Sequence, residues 1–491
     1  MTPPIVQHCC RPLLALLALA LDPGELAAQA AARCAIPDGH CPLPGLWTFR
    51  GGPRRDGSGP AQIPDAPRIV WRYPERGSLC KRSRDLKGDR LWCGTGWTGQ
   101  PTVVERPDRR LEVRIGAYDG AYHFLDGETG RPLRRRFRTG DLAKGSATSD
   151  PDGYPLLYGG SRDGKLRVFA LEGDSVRVLW SLDARTSVPY RLWNDDWDGA
   201  PLVVDDHLIL GGENSWFYVI RLERGFDDAG RVRVSPRIVF RAPGWDDELL
   251  SALGDRNVSI ENSVAFAGGI AYFANSGGLV QGWDVRAVLA GDTVARRIFR
   301  FWTGDDTDAS VILGPDGELY VATEYERGSP RSRAVGQIMR LEPTNPVDPI
   351  RWSVAVREPG WDGKAGVWAT PALADGVLYV PTHDGQLLAL DRDDGNILWR
   401  LRLPGPLWAS PVVAGGVLLQ GDCRGVLHAY TLDPARGPPT ERWALEIGGC
   451  IESTPAVGRE WIWVGTRAGT VVGLRGSVSA QPDPPIPPRN P

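Results

Sequence analysis

The chain has 491 residues, with 57 Lys plus Arg against 60 Asp plus Glu, a net charge of −3. That balance excludes a strongly basic nucleic-acid binder and an acidic disordered chain. The 60 Gly and 42 Pro are about 21 % of the residues against about 12 % on average, so turns are dense and long helices few; 19 Trp call for a large packed core.

The first feature in chain order is the apolar run Leu13–Leu21, well short of the ~20 residues a bilayer span needs. It follows Arg11, is broken by Asp22-Pro23, and is followed by Ala28-Gln29-Ala30, an A-x-A cleavage pattern. Residues 1–30 are therefore read as a signal peptide rather than a core helix. The mature chain is expected to be exported, periplasmic or extracellular, with no transmembrane span. Arg33 before Cys34 does not suit a lipoprotein signal, so no lipid anchor is expected. Residues 31–66 are an N-terminal extension.

Cys9 and Cys10 leave with the signal peptide, and six cysteines remain. An even count in an exported chain points to disulfides. The expected pairs are Cys34–Cys41, Cys80–Cys93 and Cys423–Cys450. No C-x-x-C or H-x(3–5)-H spacing supports zinc, and no C-x-x-C-H supports covalent haem.

Arg68–Tyr73 is a lone candidate strand. From Gln100-Pro101 onward a unit recurs: a small-residue or Pro start, two short apolar strands, a D-G turn, and a fourth strand near a Trp. Copies start near Gln100, Gly145, Ala200, Asn262 and Asp308, then more clearly at Trp368-Ala-Thr-Pro371, Trp408-Ala-Ser-Pro411 and Glu452-Ser-Thr-Pro455. The last copy lacks its fourth strand. Periods of 40–50 residues with four strands per unit mean propeller blades. Seven full blades between Trp97 and Trp443, plus one that Arg68–Tyr73 completes, predict an all-β, eight-bladed β-propeller of four-stranded antiparallel blades over residues 67–476. Sharing a blade between the two ends protects the seam from unzipping. Residues 477–491 are a Pro-rich tail, expected to be disordered.

The segment Ala389–Trp399, Ala-Leu-Asp-x-x-x-Gly-x-x-x-Trp, resembles the tryptophan-docking repeat of quinoprotein-alcohol-dehydrogenase-like (PQQ-repeat) eight-bladed propellers. Leu125–Gly130 is a partial second match without the Trp. The resemblance covers about residues 47–475. That superfamily includes quinone-dependent alcohol dehydrogenases and non-enzymatic outer-membrane assembly factors, and this chain resembles the latter more closely. The resemblance brings PQQ and Ca²⁺ into view, but the adjacent Cys pair usual in the quinone enzymes is absent from the mature chain. No cofactor is predicted.

In such a blade the B–C turns and the D–A connections share one rim. Cys423 and Cys450 fall on that rim in neighbouring blades, which makes their pairing geometrically reasonable. The same rim collects Asp195, Asp196, Trp197, Asp198, Glu261, Asp305, Asp306, Asp308, Trp368, Trp408 and Glu452, the candidate ligand-binding residues at one mouth of the channel. They suit a Ca²⁺ site, a sugar-binding or sugar-cleaving mouth, or ordinary turn chemistry, in which Asp and Asn bond to nearby backbone and Trp packs the blade edge. The basic run Arg131–Arg138 reads as a charged, solvated edge strand rather than a nucleic-acid patch. No catalytic constellation or metal motif is recognised. The expectation is a monomeric, non-catalytic binding or scaffold protein for a protein or polysaccharide partner, with no nucleic acid. The alternative is a quinone- or Ca-dependent oxidoreductase, or a carbohydrate-binding or carbohydrate-cleaving protein using the acidic, Trp-rich mouth.

Overall fold

The computed structural model describes residues 39–477 apart from 86–87, 97–98 and 361. The segment 1–30 read above as a signal peptide, Cys34 and the tail from 478 lie outside the described residues. Eight four- or five-stranded sheets follow one another along the chain. Blade 1 comprises Thr102–Glu105, Leu111–Ala117, Ala121–Asp126 and Phe137–Arg138, with Cys41–Pro42 added at its inner edge. Blades 2 to 7 begin on Thr148–Ser149, Leu202–Val204, Ala265–Ala267, Ile312–Leu313, Ala372–Ala374 and Val412–Ala414. In blade 8 the strands Ala456–Gly458, Trp461–Thr466 and Thr470–Ser477 are joined by Asp65–Tyr73 as the outer strand. Val471 lies opposite Tyr73, Val472 opposite Arg72 and Gly473 opposite Trp71.

The middle strands carry the apolar runs and are buried on both faces, because each sheet is packed between two neighbours; the outer strands are half exposed. The seams between blades hold the core clusters. One joins blade 8 to blade 1 through Trp71, Val113, Trp463 and Val471.

Tryptophans lock these seams. Trp71 donates its indole N–H to the Gly127 carbonyl of blade 1 at 3.1 Å, and Trp352 of blade 5 donates to the Arg392 carbonyl of blade 6 at 3.0 Å. Each ring lies against a turn glycine of the next blade, Gly130 (φ +70°) or Gly395 (φ +75°). A Cβ there would stand 2.6 Å from the indole. The Asp-Gly-Glu-Thr-Gly130 and Asp-Asp-Gly395 turns thus need glycine twice over, for the left-handed backbone and for the ring.

The extension has a role that its sequence does not announce: it fills the axis. Residues 46–59 run along the inner edges of the innermost strands of blades 1, 2 and 4 to 7. Val103, Ser149, Phe266, Leu313, Leu373 and Val413 donate backbone N–H to the carbonyls of Leu46, Trp47, Pro53, Arg54, Asp56 and Gly57, at 2.8–3.1 Å. Ser58–Gly59 adds a parallel strand to blade 7. Two buried arginines brace the plug. Arg50 donates to the carbonyls of Pro371 and Pro411, and Arg55 to those of Val264 and Phe49.

Both described disulfides join the expected partners. Cys80 and Cys93 face each other across the hairpin Cys80–Asp85/Gly88–Cys93 with Cα atoms 4.1 Å apart. Cys423 and Cys450 link the rims of blades 7 and 8 at 3.7 Å. The basic run departs from expectation at one residue. Arg134 is buried, because its guanidinium reaches the buried Glu112 carboxylate at 2.9 Å, beside Arg114 at 2.8 Å.

Candidate functional site at the channel mouth

A belt of backbone-to-hydroxyl bonds sets the register of the mouth. Gln100 N–H donates to Ser146 Oγ (2.7 Å), Ala200 to Ser263 (2.9 Å), Ser263 to Ser310 (2.9 Å), Ser310 to Thr370 (2.9 Å) and Thr370 to Ser410 (3.0 Å). Each is the same repeat position in successive blades. Two residues before it, the chain presents Lys144, Asp198, Glu261, Asp308, Trp368, Trp408 and Glu452 in blades 2 to 8. In blades 2 to 8 the mouth is therefore lined by one side chain per blade from a single repeat position.

Asp196 and Asp198 of blade 3 meet Glu213, which follows the second strand of that blade. The three offer oxygens within 4.8 Å of one another, all buried. The Lys144 ammonium sits among them, 3.0 Å from Asp196, 2.5 Å from Asp198 and 3.2 Å from Glu213. Arg162 adds a contact of 3.1 Å to Asp196, and Asn194 donates to Glu213 at 2.9 Å. Burial alone would lower the lysine pKa, but the surrounding Asp198, Glu213 and Asp196 hold it well above its ordinary value. Burial and then the Glu213 charge push Asp196 up to about 7, against Lys144 and Arg162. Burial likewise takes Glu213 to about 7.

Blade 5 repeats the trio as Asp306, Asp308 and Glu324, again within 4.8 Å. Asp308 accepts the indole N–H of Trp368 at 2.8 Å. Lys364 stands 3.7 Å from Glu324, pairs more closely with the exposed Glu326, and lies over the Trp368 ring. Burial, then like charges, raises Asp306 and Glu324 well above the carboxylate range. Glu261, half-buried between the trios, accepts from Ser259 Oγ at 2.7 Å and is raised by burial and then by Asp308.

The aromatic side of the mouth is closed on itself. Trp368 and Trp408 pack edge to face at 5.2 Å, His383 stacks on Trp368, and Trp408 donates its indole N–H to His383 Nδ1 at 2.9 Å. Burial lowers His383 to about 4, so the ring is neutral, with Nδ1 the acceptor and its proton on Nε2. Glu452 pairs with Arg467 at 3.1 Å, whose guanidinium covers Tyr118 and Trp92.

Of the residues expected at the mouth, Asp196, Asp198, Glu261, Asp306, Asp308, Trp368, Trp408 and Glu452 line it. Three do other work. Asp195 turns outward to Arg185 and Arg191. Trp197 packs into the seam with Tyr218 and donates to the Gly164 carbonyl at 3.0 Å. Asp305 accepts backbone N–H bonds from Asp306, Glu326, Arg327 and Gly328, holding the 326–328 loop. Lys144, Glu213, Glu324, Lys364 and His383 were not anticipated. Their signal was available: counting from each blade's belt residue puts Lys144 in line with Asp198. The same count from each second strand puts Glu213, Glu324 and His383 in line with one another.

Residues 344–481, blades 6 to 8, match the family described as outer membrane protein assembly factor BamB. Similar curated proteins are the outer membrane protein assembly factors BamB of Nitrosomonas eutropha, 28 % identical over 28 % of this chain and 31 % of its own length, and of Yersinia pestis, 27 % identical over 21 % of this chain and 35 % of its own. The match thus spans about a third of each relative. Among solved structures, the quinohemoprotein alcohol dehydrogenase of Comamonas testosteroni is similar with TM-score 0.58 at 15 % identity, covering 94 % of this chain and 86 % of that one. The quinohemoprotein alcohol dehydrogenase ADHIIG of Pseudomonas putida HK5 is similar with TM-score 0.59 at 14 % identity, covering 96 % and 84 %. At that identity the likeness is one of fold: the chain is an eight-bladed β-propeller.

Proposed function

We propose that this protein is an exported, non-catalytic propeller scaffold that binds another protein in the periplasm or outside the cell, in the manner of an outer-membrane assembly factor. The observation that carries this reading is the match of blades 6 to 8 to the assembly-factor family. Among the described residues no helix is long and apolar enough to cross a membrane.

The mouth adds support. PQQ is an anionic tricarboxylate, and the basic groups at the mouth already face carboxylates: Lys144 and Arg162 in blade 3's trio, Lys364 on Glu326 and Arg467 on Glu452. Such a mouth does not suit the quinone. A hard cation suits its oxygen donors better. Nor does Trp368 present a free face for a sugar ring, since His383 stacks on it and the Lys364 ammonium lies over it. Beneath the mouth the plug closes the axis.

The test pairs two measurements. Site-specific crosslinking from rim positions in the native cell envelope is expected to recover a defined protein partner. Dye-linked oxidation of alcohols or sugars with added PQQ and Ca²⁺ is expected to give no turnover; sustained turnover would overturn the scaffold reading.

A further inference from the structure

The rim opposite the mouth carries the turns between the first and second strands of each blade and between the third and fourth. On that rim, turns of blades 1, 2 and 3 line a cleft of about 520 Å³. His40, Arg106 and Arg134 give it a basic side, and Pro155, Leu171 and Phe226 an apolar one. Phe226 belongs to the hairpin Gly225–Phe226/Val232–Arg233, which blade 3 adds between its third and fourth strands, and its ring stacks on Tyr154 at 5.5 Å.

Beside this cleft three guanidiniums converge on one carboxylate. The buried Glu112 receives Arg106 Nη1 at 3.2 Å, Arg114 Nε at 2.8 Å and Arg134 Nε at 2.9 Å. Burial alone would raise its pKa, but Arg114 and then Arg134 bring it down to about 2, so it is ionised. Asp108 stands 3.6 Å from Arg106 but pairs more closely with the exposed Arg110, at 2.6 Å. Arg114 spends its other donors on Ser149 Oγ, at 3.0 Å, and on His40 Nδ1. His40 is 5 % exposed, and burial, then Arg114, hold its pKa well below the usual value. The ring is therefore neutral, and since Nδ1 accepts from Arg114 its proton sits on Nε2. That Nε2 faces Arg134 Nη2 at 3.4 Å. Both are donors, and among the described residues neither has an acceptor. Arg134 is 4 % exposed, and Arg106 Nε is likewise buried without a hydrogen-bond partner. Buried donors left unmet beside surplus positive charge are costly, and an anion relieves both.

We propose that this cleft binds a small organic carboxylate, whose oxygens accept from Arg134 and His40 while its apolar body lies against Leu171 and Phe226. The surplus donors are few, which suits the two oxygens of a carboxylate better than the several of a phosphate. The acidic groups that line the cleft are already paired: Asp108 with Arg110, and Glu172 with the Val232 N–H at 2.8 Å and Arg177 at 3.1 Å. Their charges tell against a dianion and favour a single negative charge on an apolar body. This inference does not depend on the scaffold reading.

The test titrates the full chain with benzoate, acetate and inorganic phosphate by calorimetry. One benzoate per chain is expected, bound at least about tenfold more tightly than acetate because its ring buries apolar surface. Arg134→Gln is expected to weaken benzoate binding at least about tenfold, the worth of one hydrogen bond to a charged group. Phe226→Ala, on the added hairpin, keeps the test decisive if Arg134→Gln folds poorly. It is expected to retain native circular dichroism while losing at least about fivefold in benzoate affinity. The proposal is overturned if benzoate does not bind up to about 10 mM, poor efficiency even for so small a ligand. It is equally overturned if phosphate binds more tightly than benzoate, or if folded Arg134→Gln or Phe226→Ala binds benzoate as the wild type does.

Discussion

Replacing Gly130 with alanine tests how the ring is sealed where the two ends of the chain meet. Gly130 has φ +70°, and a Cβ there would lie 2.6 Å from Cδ2 and Cε3 of Trp71, a ring otherwise buried against this turn. The left-handed backbone costs a non-glycine residue about 1–2 kcal/mol. Overfilling a packed site adds about 1–3 kcal/mol. If the indole withdraws, its 3.1 Å bond to the Gly127 carbonyl is lost, about 1 kcal/mol more. The sum is about 3–6 kcal/mol. A double-mutant cycle separates the causes. In a Trp71→Ala background the clash and the indole bond are already gone, so Gly130→Ala should then cost only the backbone strain of about 1–2 kcal/mol. Urea unfolding followed by tryptophan fluorescence reads all four proteins. A coupling energy below about 0.5 kcal/mol would mean that ring and turn do not meet and that the seam is sealed some other way.

Lys144→Met is expected to cost about 3–5 kcal/mol near pH 8, because it leaves Asp196, Asp198 and Glu213 buried without their ammonium. It should cost less near pH 5, and urea midpoints at the two pH values check this. For the wild type, the folded pKa values of Asp196 and Glu213 are raised to about 7 from 3.8 and 4.5. The native state therefore binds more protons than the unfolded chain across that window, so the contribution of these groups to stability falls as pH rises from about 4 to 7. Asp196→Asn should flatten that slope; a steeper or unchanged slope in the variant would contradict the assignment.

Much of the architecture is legible in the residues because it is written locally. A D-G turn, a short apolar strand and a Trp at fixed spacing each act over a few residues, and their recurrence at 40–44 residues from Pro371 to Pro455 counts the blades. The rim disulfide is nearly as readable, since neighbouring blades bring Cys423 and Cys450 together whatever else the ring does. The mouth was legible as a place but not as a mechanism. Asp305 and Asp306 are adjacent in the chain, yet one accepts loop N–H groups and the other points into the trio. Composition treats them alike, and only their position relative to the belt separates them.

From sequence alone come the repeat, the number of blades, the shared eighth blade as an expectation, and the inventory of acids and tryptophans at one rim. Tertiary structure decided that residues 46–59 fill the axis, that Arg50 reaches Pro411 across 361 positions of chain, and that Lys144 sits among all three carboxylates of one trio while Lys364 touches only Glu324 of the other and pairs more closely with Glu326. The physical reason is range. Strands and turns follow from neighbours along the chain, whereas a charge finds its partner only after the ring has closed and set eight distant segments side by side.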